Sequence, residues 1–205
     1  FYSIMIQTEN FKLDNAVEIP VTIPFAPLSD HQSKMSIASI NLERLGNRAI
    51  VIKNFLSAEE CQEIVNFIEC HCRDSISSED IVMTQAHSKQ EYRNNLRMIA
   101  TSSRISQIFF ERLAFALHEI GEDIVSCHER NSHQFLHNGF GMNGTWRLNS
   151  LNPCFRLCKY NPSGHFGPHY DGDYIIDPID HRSLKTFMIY LNHSSACEEE
   201  GGFVG

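Results

Sequence analysis

The chain has 205 residues and a mass of 23.5 kDa, enough for one domain with an appendage and too little for two full domains. A hydrophobic share of 42% and a charged share of 20% exclude wholesale disorder and collagen-like repeats. Seventeen Lys and Arg against 25 Asp and Glu give a net charge of −8, which offers no electrostatic reason for a nucleic-acid or anionic-membrane partner.

Residues 1–47 read as an N-terminal arm. The run Ile19-Pro20-Val21-Thr22-Ile23-Pro24-Phe25-Ala26-Pro27 favours an extended path along a surface, as an arm or edge strand outside the core. Arg48 to Phe55 reads as a short buried strand opening a domain that spans 48–205. Ser57-Ala58-Glu59-Glu60 is a capping box. Cys61, Ile64, Val65, Ile68 and Cys72 follow at helical spacing, so a helix is predicted from 58 to about 72.

The polar stretch Arg73 to Asn95 reads as a loop. A second helix is predicted from Ser103 to Ile120, with Ile105, Ile108, Phe109, Leu113, Ala116, Leu117 and Ile120 on one stripe and Gly121 stopping it. Residues 121–150 hold three histidines, several asparagines and Gly139, Gly141 and Gly144, a composition of turns and short strands. From Cys154 the pattern is β: Phe155 and Leu157 alternate with Arg156 and Cys158, and Lys185 to Asn192 is a second strand. Two helices followed by strands give an α+β class with helices packed on a sheet sandwich.

Seven cysteines, an odd number without paired metal-finger spacing, point to thiols in a reducing, cytoplasmic compartment. No stretch reaches the length of a membrane span and no leader pattern is visible, while the initial Phe1 suggests processing or a piece of a longer chain.

The chemistry concentrates in Tyr160-Asn161-Pro162-Ser163-Gly164-His165-Phe166-Gly167-Pro168-His169-Tyr170-Asp171-Gly172-Asp173. His165 and His169 are four apart, but the intervening prolines and glycines forbid the helix that a zinc pair would need. His169 and Asp171 are two apart and would share one face of a strand. A 2-His-1-carboxylate face leaves positions open on Fe(II). Alone, H-x-D is weak, and a hydrogen-bonded histidine in a surface turn explains it equally well.

Its surroundings add to it. Arg156-Leu157-Cys158-Lys159-Tyr160, Gly164-His165-Phe166, His169-Tyr170-Asp171, Thr186-Phe187-Met188-Ile189-Tyr190-Leu191-Asn192 and Gly201-Gly202 occur in that order. Together with Ala49 to Cys61, they make the chain resemble the prolyl 4-hydroxylase-like family of 2-oxoglutarate- and Fe(II)-dependent dioxygenases, over about 48–205. The resemblance implies N-terminal helices packed on a double-stranded β-helix, or jelly roll, incomplete here. It implies His169 and Asp171 as the first two metal ligands and Tyr160 and Tyr190 as tyrosines lining the 2-oxoglutarate pocket. The implied reaction hydroxylates a protein side chain, a prolyl residue first, and releases succinate and CO2. Fe(II) and 2-oxoglutarate are its requirements, ascorbate an optional third, and a protein or peptide its substrate.

The chain departs from the family pattern at its end. After Asp171 the histidines are His181 and His193, both ahead of the glycine pair, so the distal histidine ligand and the Lys or Arg that pairs with 2-oxoglutarate are missing. Truncation of a longer oxygenase is the first expectation, and the chain as it stands is expected not to be catalytically competent. The alternatives are a non-catalytic jelly-roll module that binds a protein partner or metal, or a site completed by His181 or His193.

Overall fold

The computed structural model describes residues 2–6, 16–20, 22–42, 47–74, 95–122, 124–127, 144–162, 164–169, 175–177, 181–183 and 185–192. In chain order the elements are β1 (Tyr2–Ile6), β2 (Val17–Glu18), α1 (Leu28–Gln32), β3 (Ser36–Leu42), β4 (Asn47–Lys53), α2 (Ala58–Asp74), β5 (Leu96–Thr101), α3 (Ser103–Glu119), β6 (Ile124–Cys127), β7 (Gly144–Arg147), β8 (Cys154–Lys159), β9 (Ile175–Asp177), β10 (His181–Arg182) and β11 (Phe187–Tyr190). Five strands form one sheet in the order β11-β1-β8-β5-β2, and the pairs β3–β4, β6–β7 and β9–β10 form two-stranded sheets. Within the large sheet β2 runs parallel to β5 and every other pair is antiparallel. The class is α+β, and the described strands do not close into a barrel.

Both long helices form where capping chemistry places them. At α2 the Glu60 amide donates to Ser57 Oγ at 3.2 Å and the Ser57 amide donates back to Glu60 Oε2 at 2.9 Å, closing the capping box. At α3, Ser102 Oγ accepts from the Ile105 amide at 3.2 Å. Gly121, at φ +67°, ends α3: its amide donates to His118 O at 3.0 Å and that of Glu122 to Leu117 O at 2.8 Å. These two bonds make a Schellman motif, whose left-handed residue is best served by glycine.

One face of the large sheet carries the core. Phe155, Leu157 and Ile189 are buried with Ile105, Phe109, Leu113 and Leu117 of α3 and Ile64, Phe67 and Ile68 of α2. Phe109 lies edge-on to Phe155 at 6.0 Å, Phe55 at 5.7 Å and Phe25 at 5.6 Å, and Phe55 meets Phe187 at 4.8 Å. Ile120 is the exception on the α3 stripe. It is 37% exposed because it is the C-cap and the chain turns away there.

The proline-rich run departs from expectation. β2 is an edge strand, but Ile19 and Ile23 are only 4% exposed and belong to the core. The run turns after Pro20, where the Ile23 amide donates to the Pro20 carbonyl at 3.5 Å, and the two isoleucines on either side of the turn are buried.

A buried ion pair fastens this run to the helices. Arg112 is fully buried and Glu60 is 2% exposed. The guanidinium grips the carboxylate in a fork, with Nη2 to Oε1 at 2.7 Å and Nη1 to Oε2 at 2.8 Å. It also donates to the Ala26 carbonyl at 2.7 Å and the Phe55 carbonyl at 3.0 Å. Glu60 accepts from the Ala26 amide at 2.8 Å, and His31 Nε2, from α1, stands 3.3 Å from Oε2. Burial raises the Glu60 carboxyl, but Arg112 and the Ser57 and Ala26 amides outweigh it and hold it below its ordinary value.

Removing one member of such a pair strands a charge in the interior. Arg112→Met is expected to lower unfolding stability by about 3–5 kcal/mol in denaturant titration, and a loss under about 1 kcal/mol contradicts the assignment. The depressed Glu60 carboxyl contributes stability that is present above its ordinary value of 4.5 and is lost as pH falls through its folded value. Glu60→Gln is therefore expected to flatten the acid limb of the stability–pH curve below that value, and an unchanged limb contradicts the linkage.

Candidate metal and co-substrate site

The sheet places the two candidate tyrosines. β8 and β11 are both antiparallel to β1, so they run in the same direction with β1 between them. Tyr190 ends β11 opposite Ser3, which stands opposite Cys158 on its other side. Tyr160 directly follows β8, two residues beyond Cys158. The structure thus brings both tyrosines to the same end of the sheet, one strand apart.

Tyr190 shares its row with Cys158, and alternation along β11 sets Phe187 and Ile189 in the aromatic core and Met188 and Tyr190 on the other face. Arg156 and Cys158 alternate with Phe155 and Leu157, yet they are only 3% and 1% exposed, so this second face of β8 is covered as well. Tyr160 is half-buried and Tyr190 is 49% exposed. Partial burial still pushes the Tyr190 phenol up, which keeps it a neutral hydrogen-bond donor across the physiological range. Beside Tyr160, Lys159 Nζ holds both carboxylate oxygens of Glu69, at 2.8 and 3.0 Å, and ties the end of β8 to α2.

His169 is exposed and sits in irregular backbone, not in a strand. No helix forms from 164 to 169, as the prolines and glycines dictate. Its Nδ1 is 3.0 Å from the Gly167 carbonyl oxygen. The ring stacks on Phe166 with centroids 3.8 Å apart and planes at 27°. A carbonyl can only accept, so this bond requires a proton on Nδ1, and a neutral ring so bonded has its lone pair on Nε2. In the neutral ring that tautomer suits a metal ligand, and the same contact is also that of a hydrogen-bonded histidine in a surface turn.

Asp171, Tyr170, His193, Gly201-Gly202 and the side chain of His181 lie outside what the structure describes. Among the described residues no three His, Cys, Asp or Glu side chains converge as a metal-binding group. Burial and the neighbouring Glu60 charge push the Cys61 thiol up to about 11, and burial raises Cys154.

Sequence reasoning missed Arg112 and His31, which organise the scaffold behind this sheet. A signal for Arg112 was present: it stands at position i+7 from Ile105 and i+3 from Phe109, on the apolar stripe of α3, where a charge requires a buried partner.

No family model, no curated protein and no solved structure matches this chain. The His169 geometry can be examined directly. Nitrogen-detected NMR of the histidine rings under alkaline conditions is expected to show the Nδ1–H tautomer for His169, and a ring that is mainly Nε2–H contradicts the site.

Proposed function

We propose that the chain acts as a 2-oxoglutarate- and Fe(II)-dependent dioxygenase of the prolyl 4-hydroxylase-like kind, acting on a protein side chain, with a prolyl residue the first candidate. On this reading the five-stranded sheet is one layer of a jelly roll with α2 and α3 packed on its outer face. The observation that carries the reading is the anchored imidazole of His169, whose Nδ1 is tied to the Gly167 carbonyl so that in the neutral ring Nε2 holds the lone pair. Further support comes from Tyr160 and Tyr190 at the same end of one sheet.

His169 and Asp171 would hold the metal, which when bound supplies oxygen activation coupled to decarboxylation of 2-oxoglutarate. Tyr160 and Tyr190 would orient 2-oxoglutarate by donating phenol hydrogen bonds to a carboxylate without adding charge. The family's distal histidine and the Lys or Arg for the far carboxylate have no counterpart within these residues, and His181 or His193 is the alternative third ligand. A cytoplasmic setting is part of the proposal, supported by thiols at Cys61, Cys70, Cys154 and Cys158. No described helix is long and apolar enough to cross a membrane.

The test is Fe(II)-dependent conversion of 2-oxoglutarate to succinate by the source protein. His169→Ala is expected to reduce it more than about a hundredfold, since even outer-shell partners of a metal ligand contribute tenfold to a hundredfold. Tyr190→Phe is expected to raise KM for 2-oxoglutarate by about tenfold or more, the worth of one hydrogen bond to a charged group. Undiminished turnover in His169→Ala refutes the site. A protein of 23.5 kDa that turns nothing over and retains a binding partner after that substitution favours a non-catalytic module.

A further inference from the structure

Two arginines share a face of the large sheet with Tyr190. In the antiparallel register Arg97 of β5 stands opposite Cys158 of β8, and Ile99 opposite Arg156. Residues directly opposite project from the same side of a sheet, so Arg97 and Arg156 lie with Cys158, Met188 and Tyr190 on the face turned away from the helices. Lys159 alternates to the helix side, where Glu69 holds it.

Position along the strands separates the two arginines. One register row runs Tyr190, Ser3, Cys158, Arg97, which sets Arg97 level with Tyr190. Tyr160, two residues beyond Cys158, is then the diagonal neighbour of Arg97, about 7–8 Å away and within reach of a long side chain. Burial follows the same gradient. Arg156 and Cys158 are 3% and 1% exposed, Arg97 and Tyr160 are half-buried, and Tyr190 is 49% exposed. This end of the face is the one open to a small solute.

2-Oxoglutarate carries two carboxylates, and one is left for the protein when the other, with the 2-oxo oxygen, chelates a metal. Two phenols donate to it but leave its charge unbalanced, and a charge in a partly buried place needs a partner of opposite sign. A guanidinium meets a carboxylate in a two-bond fork. Arg97 makes contacts within the chain, and its five N–H donors accommodate a ligand beside them. We propose that Arg97 is the cation that pairs with the far carboxylate of 2-oxoglutarate, next to Tyr160 at the open end of this face. The proposal rests on the 2-oxoglutarate reading of the site and supplies the charge that the family's own position lacks here.

Glutarate is the probe. It has both carboxylates and no 2-oxo oxygen, so its binding needs neither metal nor turnover, while pentanoate has the same chain length and one carboxylate. At a net charge of −8 diffuse electrostatics disfavour the dianion, so a preference for it marks a specific cation. Saturation-transfer NMR on the chelator-treated source protein is expected to show glutarate binding at least about tenfold tighter than pentanoate. That preference is expected to vanish in Arg97→Gln and to be partly kept in Arg97→Lys, which retains the charge and loses the fork. No preference in the unmodified protein, a result that needs no variant to fold, overturns the proposal, as does a preference undiminished in Arg97→Gln. The two readings fail separately. Arg97-dependent glutarate binding in a protein that converts no 2-oxoglutarate keeps the carboxylate site and refutes the oxygenase. Turnover with an unchanged KM in Arg97→Gln keeps the metal site and refutes Arg97.

Discussion

The pairing of Glu60 with Arg112 is the constraint on which the helical side of the molecule depends. One carboxylate closes the N-terminal capping box of α2, receives the fork of a guanidinium from α3 and accepts the Ala26 amide of the proline-rich run. Three segments distant in sequence therefore meet at a single buried charge. The arrangement tolerates burial because the carboxylate is supplied with donors on both oxygens. Its geometry ties the start of α2 to α3, and Phe25, Phe55 and Phe155 pack around Phe109 of α3.

The sheet on this foundation has two different faces. Phe155, Leu157, Phe187 and Ile189 face the helices, and the alternate positions Arg156, Cys158, Met188 and Tyr190 face away. The candidate chemistry lies with the second set, at the end where β8 and β11 both finish. The proposed co-substrate contact at Tyr190 and the aromatic core thus fall on opposite faces of the sheet. A change at Tyr190 touches the proposed co-substrate contact and leaves the aromatic core in place.

Much of this was legible from residue patterns because the causes are local. Ser57 with Glu60, and Gly121 after a helical stripe, signal helix ends within four residues of themselves, and the ends of α2 and α3 fall close to those signals. β8 and β11 were readable from their alternation, and β4 from its apolar run. The position of β1 was not legible, since its partners lie over 150 residues away and five residues of strand carry no address. Ile19 and Ile23 were read as surface because prolines dominate that run, although prolines fix the path of a backbone and not the burial of its neighbours. For the site, Tyr160, His169 and Tyr190 were singled out in sequence. The tautomer of His169 required the Gly167 carbonyl in three dimensions.

The measurement that tests the central claim most directly is the visible absorption of the source protein on anaerobic addition of Fe(II) and 2-oxoglutarate. An iron held by His169 and its partners with 2-oxoglutarate chelated to it is expected to give a metal-to-ligand charge-transfer band that needs both additions and is lost in His169→Ala. A spectrum unchanged by adding the two together, in protein that remains folded, contradicts the account.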